Sequence, residues 1–316
     1  MAHSLGHGTL RFIGAFKSSK IESWQSFTWR GLHFANPLGV AGGLDKNALL
    51  MRGLWSLGAG FLEIGTVTPK PQKANPGKCF DRDIQTESVW NHLGFPNDGG
   101  EKILQRILQI KRPYPTPIFV NIGKNRDTAL PRAHEDYIHL IEKFAPVADA
   151  FVINISSPNT KGLRELLHPV RFQEFLRPVI AAAQNIPVLL KLSPDVTDDE
   201  LRSCLDISTA LGISGWVLTN TTIERNDLTK KLYPPDGGVS GRPLAARAIE
   251  MLKIANSHLG NQRQDKLIVS VGGVMSAEDV FERLRLGAQL VQIYTALVFN
   301  GPTFFHEVSY QARQTQ

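Results

Sequence analysis

The chain has 316 residues, 42% of them hydrophobic, and a formal net charge of +6, which suits one large α/β barrel or two ordinary domains. No apolar run is long enough for a transmembrane helix, and the amino terminus lacks the apolar core and cleavage site of a secretory signal. The basic residues form no dense run with interleaved aromatics, so no nucleic-acid partner is expected. Anionic small molecules and anionic membrane surfaces are the partners that the positive charge still allows. Cys79 and Cys204 lie far apart without metal-ligand spacing, which predicts two reduced thiols and no metal site.

Residues 1–34 differ from the rest of the chain and form a predicted amino-terminal extension. One helical face, flanked by basic residues, carries Leu5, Thr9, Phe12, Ile13 and Phe16. Such a helix either rests on an anionic bilayer, covers an apolar tunnel mouth, or packs on the domain as an ordinary terminal helix. Apolar and aromatic residues then alternate around Gly31 over residues 27–34, which predicts a small hairpin.

From Pro37 onward, apolar runs alternate with helical patterns. The runs are rich in Val, Ile, Leu and Phe, as buried parallel strands are, and cover residues 37–41, 61–67, 118–122, 150–155, 188–192, 215–219, 267–271 and 289–294. The helical patterns cover residues 46–57, 99–111, 134–145, 170–184, 197–211, 243–259, 276–286 and a segment after Pro302. About eight strands predict a (β/α)8 TIM barrel over residues 35–316. An open doubly wound sheet is the alternative, although no Gly-x-Gly-x-x-Gly motif opens a first helix.

Two connections, residues 68–98 and 220–242, are too long for plain strand-to-helix loops. They are rich in Pro, Gly, Asn and charged residues. Long ordered loops in a compact domain usually form lids or subdomain insertions. Because both follow strands, we expect both on the active face of the barrel.

The segment 154–160, Asn-Ile-Ser-Ser-Pro-Asn-Thr, follows the fourth predicted strand and is dense in amides and hydroxyls. Taken alone, an ordinary turn explains this composition as well as a site does. Other strand ends also carry polar residues: Lys46, Thr66, Asn121, Lys191, Thr219 and Asn220. Because the carboxyl ends of barrel strands share one rim, the set as a whole favours an active site.

The seventh strand ends in a glycine-rich turn at Gly272-Gly273, and the eighth ends in Tyr294-Thr295. The segment from Gly238 to Arg242 forms another glycine-rich turn. Turns at these two strands commonly bind phosphate through backbone N–H groups. A phosphorylated cofactor is therefore expected, and flavin mononucleotide (FMN) suits a barrel better than a dinucleotide. Lys46 and Lys191 are the candidate cations to stabilise a reduced flavin.

The opposite face of a flavin must hold a substrate and a proton acceptor. The loop after strand four has no His or Cys, which leaves Ser157, a weak base that needs a water or Thr160 as relay. Four side-chain amides are candidates to hold a small planar substrate: Asn91, Asn154, Asn159 and Asn220.

Five motifs, in order, resemble the dihydroorotate dehydrogenase family over about residues 30–312. They are Gly-Leu-Asp-Lys at 43–46, Asn-His-Leu-Gly-Phe at 91–95, Asn-Ile-Gly-Lys-Asn at 121–125, the segment 154–160 and Asn-Thr-Thr at 220–222. Ser157 matches the base of the quinone-dependent, membrane-associated class, whereas the cytosolic class is known for Cys at this position.

The resemblance implies that Ser157 takes a proton from C5 of dihydroorotate while hydride passes from C6 to flavin N5. Electrons then pass to ubiquinone or menaquinone, and the orotate formed enters pyrimidine biosynthesis. Thr160 and Phe95 match positions of the proton relay. The implied substrate contacts are Lys46, Asn91, His92, Leu93, Gly94, Phe95, Asn154, Asn159, Asn220 and Thr221. The implied FMN contacts are Gly42, Gly43, Leu44, Asp45, Lys46, Thr66, Asn121, Asn154, Lys191, Thr219, Gly241, Gly273, Tyr294 and Thr295.

Two positions depart from the family pattern. Quinone-dependent members begin with two helices, whereas Ala2 to Leu5 resembles the start of the second, so the first helix is expected to be absent or not included in this chain. His3 stands at a quinone-site position. Pro96 stands where Asn is more usual. The expected location is the cytoplasmic face of the inner membrane, or the cytoplasm if the extension is truncated. Alternatives are a related flavin barrel that uses fumarate or a soluble carrier, a non-catalytic flavin- or phosphate-binding barrel, and a structural barrel that holds partners.

Overall fold

A computed structural model describes residues 21–160 and 162–314 of the chain. The predicted amphipathic helix and His3 therefore lie outside the described residues. The strands are β1 (Phe27–Trp29), β2 (Leu32–Phe34), β3 (Leu38–Asp45), β4 (Phe61–Val67), β5 (Phe80–Asp83), β6 (Ser88–Asn91), β7 (Ile118–Ile122), β8 (Ala150–Asn154), β9 (Val188–Leu192), β10 (Gly215–Leu218), β11 (Gly238–Gly241), β12 (Leu267–Val271) and β13 (Leu290–Ile293). The helices are α1 (Met51–Ser56), α2 (Gly100–Leu108), α3 (Ala133–Phe144), α4 (Pro169–Ala182), α5 (Asp198–Ala210), α6 (Asp227–Leu232), α7 (Ala245–Leu259), α8 (Ala277–Arg285), α9 (Thr295–Phe299) and α10 (Phe304–Gln314).

Eight parallel strands close into a barrel. Their order around it is β3, β4, β7, β8, β9, β10, β12 and β13, and β13 pairs with β3 to close the ring. Each of these strands overlaps one of the apolar runs of the sequence, so the predicted (β/α)8 barrel is confirmed. The open doubly wound sheet is excluded because such a sheet has two unpaired edges.

The inward side chains change character along the barrel axis. Side chains alternate between the two faces of a strand, so residues two apart on one strand point the same way. Near the amino-terminal end, Phe61, Phe119, Leu189 and Leu290 belong to one buried apolar cluster, which we call the apolar plug. Two residues further along the same strands stand four buried polar side chains, which we call the polar layer: Glu63, Asn121, Lys191 and Gln292.

The predicted hairpin over residues 27–34 is present as β1 and β2. Phe34 is fully buried, and its ring lies 6.0 Å from that of Phe61 and 6.2 Å from that of Phe119, centroid to centroid. The hairpin therefore packs against the apolar plug at the amino-terminal end of the barrel.

The two long connections meet in a small antiparallel sheet, which we call the lid sheet. Its order is β11-β6-β5, so that β11 of residues 220–242 pairs with β6 of residues 68–98. Trp90 Nε1 also donates to the Asp236 carbonyl at 2.7 Å. These short strands are missing from the sequence-based prediction.

The first helix begins at Met51 and not at residue 46 as predicted. The Asp45 carboxylate accepts hydrogen bonds from the N–H groups of Leu49 and Leu50, both at 2.8 Å. Ala48 has a φ of 54°, which interrupts a right-handed helix. A tight turn therefore precedes the helix.

Two other helices begin where the sequence predicts, and each begins with a capping box. Thr197 caps α5, and Ser276 caps α8. The short helix α9 follows the last barrel strand directly and was not predicted. In the part of the chain that the structure describes, no helix is both long and apolar enough to cross a membrane.

Candidate active site

A cavity of about 1000 Å³, counting its open mouth, lies between the carboxyl ends of the barrel strands and the lid sheet. The sequence-predicted residues that line it are Gly42, Gly43, Lys46, Thr66, Asn91, Leu93, Gly94, Phe95, Asn154, Ser157, Asn159, Lys191, Thr219, Asn220, Thr221, Gly241, Gly273, Tyr294 and Thr295. Residues up to 253 positions apart in the sequence therefore share one site.

Five predicted residues lie behind this lining. Asn121 is fully buried beneath it in the polar layer. Leu44 is also buried, and Asp45 caps the turn before α1. His92 stacks on Trp90 in the lid sheet, with 6.3 Å between ring centroids. Thr160 is buried just after the lining residue Asn159.

The loop after β8 holds the proposed proton acceptor. Ser157 is buried, and its Oγ accepts a hydrogen bond from the Asn159 N–H at 3.2 Å. Thr160 Oγ1 is buried and has no hydrogen-bond partner among the described residues. Phe95 lines the cavity in the left-handed region, with a φ of 58°, which is strained for a bulky residue. Such a conformation is typical of functional sites.

The asparagine side chains form two hydrogen-bonded groups. Asn159 Nδ2 donates to Asn91 Oδ1 at 2.8 Å, which joins the β8 loop to the lid sheet. Asn220 Nδ2 donates to Asn154 Oδ1 at 3.3 Å, which joins the β10 loop to β8. The Asn159 Oδ1 atom is buried without a partner in the described chain, so this atom is available to accept a hydrogen bond.

Lys46 is a desolvated cation on the cavity wall. Its ammonium donates to the Gly43 carbonyl. Burial lowers the pKa of Lys46 to about 8, although the neighbouring Asp45 acts in the opposite direction. An anionic ligand beside the ammonium would favour its charged form.

Lys191 is paired with a residue that sequence reasoning missed. Its Nζ lies 2.9 Å from Glu63 Oε1, and the two side chains are 5% and 0% exposed. Gln292 was also missed, and it both lines the cavity and contacts Glu63. The signal was available in the sequence. Glu63 is the one charged residue of β4 and Gln292 the one polar residue of β13, and both strands are buried on both faces.

The glycine turn after β12 lines the cavity and packs closely on the start of α7. Gly272 and Gly273 have φ values of 112° and 73°, where side chains are disfavoured. A Cβ on Gly273 would lie 2.3 Å from the Cα of Ala245 at the start of α7. Nearby, Ser240 Oγ lies 2.8 Å from Thr295 Oγ1, which joins the lid sheet to α9. The backbone of a glycine turn and two hydroxyl groups therefore line this end of the cavity.

Comparison with known proteins identifies related sequences and structures. A family model described as dihydroorotate dehydrogenase matches residues 26–314. A dihydroorotate dehydrogenase (quinone) of Thermus thermophilus is 42% identical over 275 residues, which cover 87% of this chain and 78% of the relative. The protein of the same name in Roseiflexus sp. is 42% identical over 284 residues, covering 89% and 78%. The crystal structure of DHODH in complex with ferulenol from Eimeria tenella has a TM-score of 0.87 and 30% identity, covering 99% of this chain and 91% of that one.

Proposed function

The chain belongs to the dihydroorotate dehydrogenase family, and from this premise we infer that it oxidises dihydroorotate to orotate in pyrimidine biosynthesis and reduces a quinone. The observation that carries this function is the family match over residues 26–314, joined by relatives named as quinone enzymes. Ser157 in the β8 loop is consistent with that class. The direct test is a steady-state assay of orotate formation with ubiquinone and with fumarate as alternative acceptors. Turnover with fumarate alone would contradict the quinone assignment.

Members of this family use a flavin, and we propose FMN. The cavity supports this choice because the glycine turn after β12 lines it, at a strand end where barrels commonly bind phosphate through backbone N–H groups. Gly272, Gly273, Gly241 and Thr295 would hold the phosphate, and Lys191 and Gln292 would contact the ring. The cofactor would supply a two-electron acceptor. Release of the cofactor by heat and its identification by mass spectrometry test the choice, and a dinucleotide would refute it.

The residues proposed for substrate binding offer charge and paired amides. The Lys46 ammonium would hold the carboxylate of dihydroorotate, and the amides of Asn91, Asn154, Asn159 and Asn220 would pair with its ring groups. Asn159 Oδ1 has no partner within residues 21–160 and 162–314, which supports this role, because a buried unpartnered acceptor is costly until a ligand satisfies it. The lid sheet would exclude water from the bound ring.

Ser157 is the proposed acceptor of the C5 proton, while the C6 hydrogen leaves with its electron pair. A serine hydroxyl is a weak base, so the proton must move on at once. Thr160 Oγ1 has no hydrogen-bond partner among the described residues, which supports a relay through this residue, with Phe95 covering the route. The amide N–H of Asn159 would hold Ser157 Oγ in place.

We also propose that residues 1–34 form a separate extension that contacts the membrane. The rest of the chain forms the barrel domain. The support for membrane contact is the basic amphipathic pattern of the sequence before residue 21. Flotation with anionic vesicles, with and without residues 1–20, tests it. Equal binding of the two proteins would assign the contact to another surface.

A further inference from the structure

Glu63 is the one carboxylate of the polar layer defined above, and it lies between the apolar plug and the cavity. Its Oε1 accepts from Lys191 Nζ at 2.9 Å and from Asn121 Nδ2 at 2.5 Å. Its Oε2 accepts from Gln292 Nε2 at 2.7 Å. These donors come from three other barrel strands. A fully buried carboxylate is tolerated because it is paired and hydrogen-bonded in this way.

Because a carboxylate only accepts hydrogen bonds, Glu63 determines which end of each neighbouring amide faces it. Asn121 must direct its NH₂ group to Glu63, so its Oδ1 is left to accept from Asn154 Nδ2, at 3.3 Å. Asn154 Oδ1 in turn accepts from Asn220 Nδ2 at 3.3 Å, and Asn220 Oδ1 from the Thr221 N–H at 2.8 Å. Each amide in this series therefore directs its NH₂ group toward the Glu63 side and its oxygen toward the proposed substrate residues.

Gln292 shows the same effect on the cavity wall. Its NH₂ group is directed at Glu63, and its Oε1 is buried without a partner in the described part of the chain. Gln292 therefore presents an acceptor, and not a donor, to a ligand in the cavity. The N–H of an isoalloxazine ring is a donor of the required kind.

Glu63 also changes the charge of the site. Lys191 would stabilise the negative charge of a reduced flavin, but its ammonium is paired with a carboxylate that is fully buried. The pair together carries no net charge. Electrostatic effects of such a pair are weakly screened because both side chains are removed from solvent.

We propose that Glu63 is a positioning residue of the flavin site with two effects. It orients the amides of Gln292, Asn121, Asn154 and Asn220, and it offsets the charge that Lys191 presents to the cofactor. The inference rests on the proposed function, since it requires a bound flavin.

The test is the two-electron midpoint potential of the bound flavin in the unaltered holoenzyme, Glu63→Gln, Lys191→Met and the double variant, by spectroscopic redox titration without substrate. Glu63→Gln removes a negative charge, so it favours the anionic reduced flavin and raises the potential. Lys191→Met removes the positive charge and lowers the potential. A tenfold change in the reduction equilibrium is expected for each single variant, equivalent to about 30 mV for a two-electron couple. In the double variant the two shifts largely cancel.

Two further variants separate positioning from loss of structure. Glu63→Asp keeps an acceptor-only carboxylate, so its potential moves back toward that of the unaltered protein. Asp149→Asn is the matched control, because Asp149 accepts from the Ile118 N–H at 2.8 Å at the opposite end of the barrel. It leaves the potential and the flavin dissociation rate unchanged, whereas Glu63→Gln accelerates flavin dissociation by reversing amide orientations.

The inference is overturned if Glu63→Gln and Lys191→Met shift the potential in the same direction or not at all. If Glu63→Gln does not fold, the double variant replaces it, since removing both partners of a buried pair is tolerated better than removing one. The double variant must then have a higher potential than Lys191→Met. An unaltered protein that binds no flavin would overturn the proposed function as well, whereas a flavin-loaded protein with unmoved potentials overturns this inference alone.

Discussion

The rim of the barrel and the lid sheet enclose the same cavity but are held in place differently. The rim residue Asn154 stands on a strand that is paired on both sides, and its side chain is hydrogen-bonded to Asn121 of the polar layer beneath it. The lid sheet has three short strands from two connections, and Asn91 Nδ2 reaches the Gly238 carbonyl at 3.4 Å across 147 positions of sequence. The rim residues are thus held in a fixed geometry, whereas the lid sheet covers the cavity.

The difference predicts that removing a reacting group at the rim changes the chemical step, whereas lid substitutions change substrate binding. Rigid elements hold reacting groups more accurately than loops do. Lids mainly exclude water and control entry and release. The following substitutions test this division.

The largest effect is expected for Ser157→Ala on the rim. The variant keeps its flavin and loses the rate of flavin reduction by about 1000-fold, because general base catalysis is removed. Anaerobic stopped-flow absorbance measures this rate. Ser214→Ala, a buried serine just before β10 at the other end of the barrel, is the matched control. Near-normal reduction in Ser157→Ala would remove this residue from its proposed role.

A pH effect is expected at Lys46. Its pKa is lowered to about 8, so the ammonium is present below pH 8 and lost above it. The kcat/KM for dihydroorotate should therefore fall about tenfold per unit well above pH 8, because the substrate carboxylate loses its cation. Lys46→Arg keeps its charge and should move this decline to higher pH. A decline that stays at the same pH in Lys46→Arg would assign it to another group.

A smaller effect is expected in the lid. Arg225 donates to the carbonyls of Thr222, Asp236 and Gly237 at 3.0–3.1 Å and so holds the second long connection together. Arg225→Ala should raise KM several-fold and change kcat less than threefold, as measured by steady-state kinetics. Lys230→Ala, on the exposed side of the same connection, is the control. A loss of kcat as large as that of Ser157→Ala would refute the division between rim and lid.

The smallest effect on the reaction is expected outside both regions. Thr197 caps α5 by accepting from the Glu200 N–H at 3.2 Å. Thr197→Ala should lower the free energy of unfolding by about 1 kcal/mol and leave kcat and KM unchanged. Urea denaturation and steady-state kinetics measure the two quantities. A changed kcat would mean that the geometry of the rim residues depends on the outer helices and not only on the hydrogen bonds of the rim itself.

The barrel strands were predictable because burial on both faces requires continuous apolar runs, as in Ala150 to Ile153. The lid strands were not, because Phe80–Asp83 and Gly238–Gly241 lack such runs and their pairing depends on contacts remote in sequence. Most of the cavity lining followed from strand ends. Glu63 was missed because the prediction considered polar residues at strand ends, whereas Glu63 stands within a strand, two residues from the core residue Phe61.

In the proposed reaction, dihydroorotate reduces the flavin bound at the rim, and a quinone reoxidises it. Anaerobic mixing of the purified protein with dihydroorotate, followed by a ubiquinone analogue, tests both halves in one cuvette. We predict that dihydroorotate abolishes the flavin absorbance and that one orotate forms for each flavin reduced. The flavin absorbance then returns when the quinone is added. An absorbance unchanged by dihydroorotate, or restored by fumarate and not by the quinone, would contradict this account.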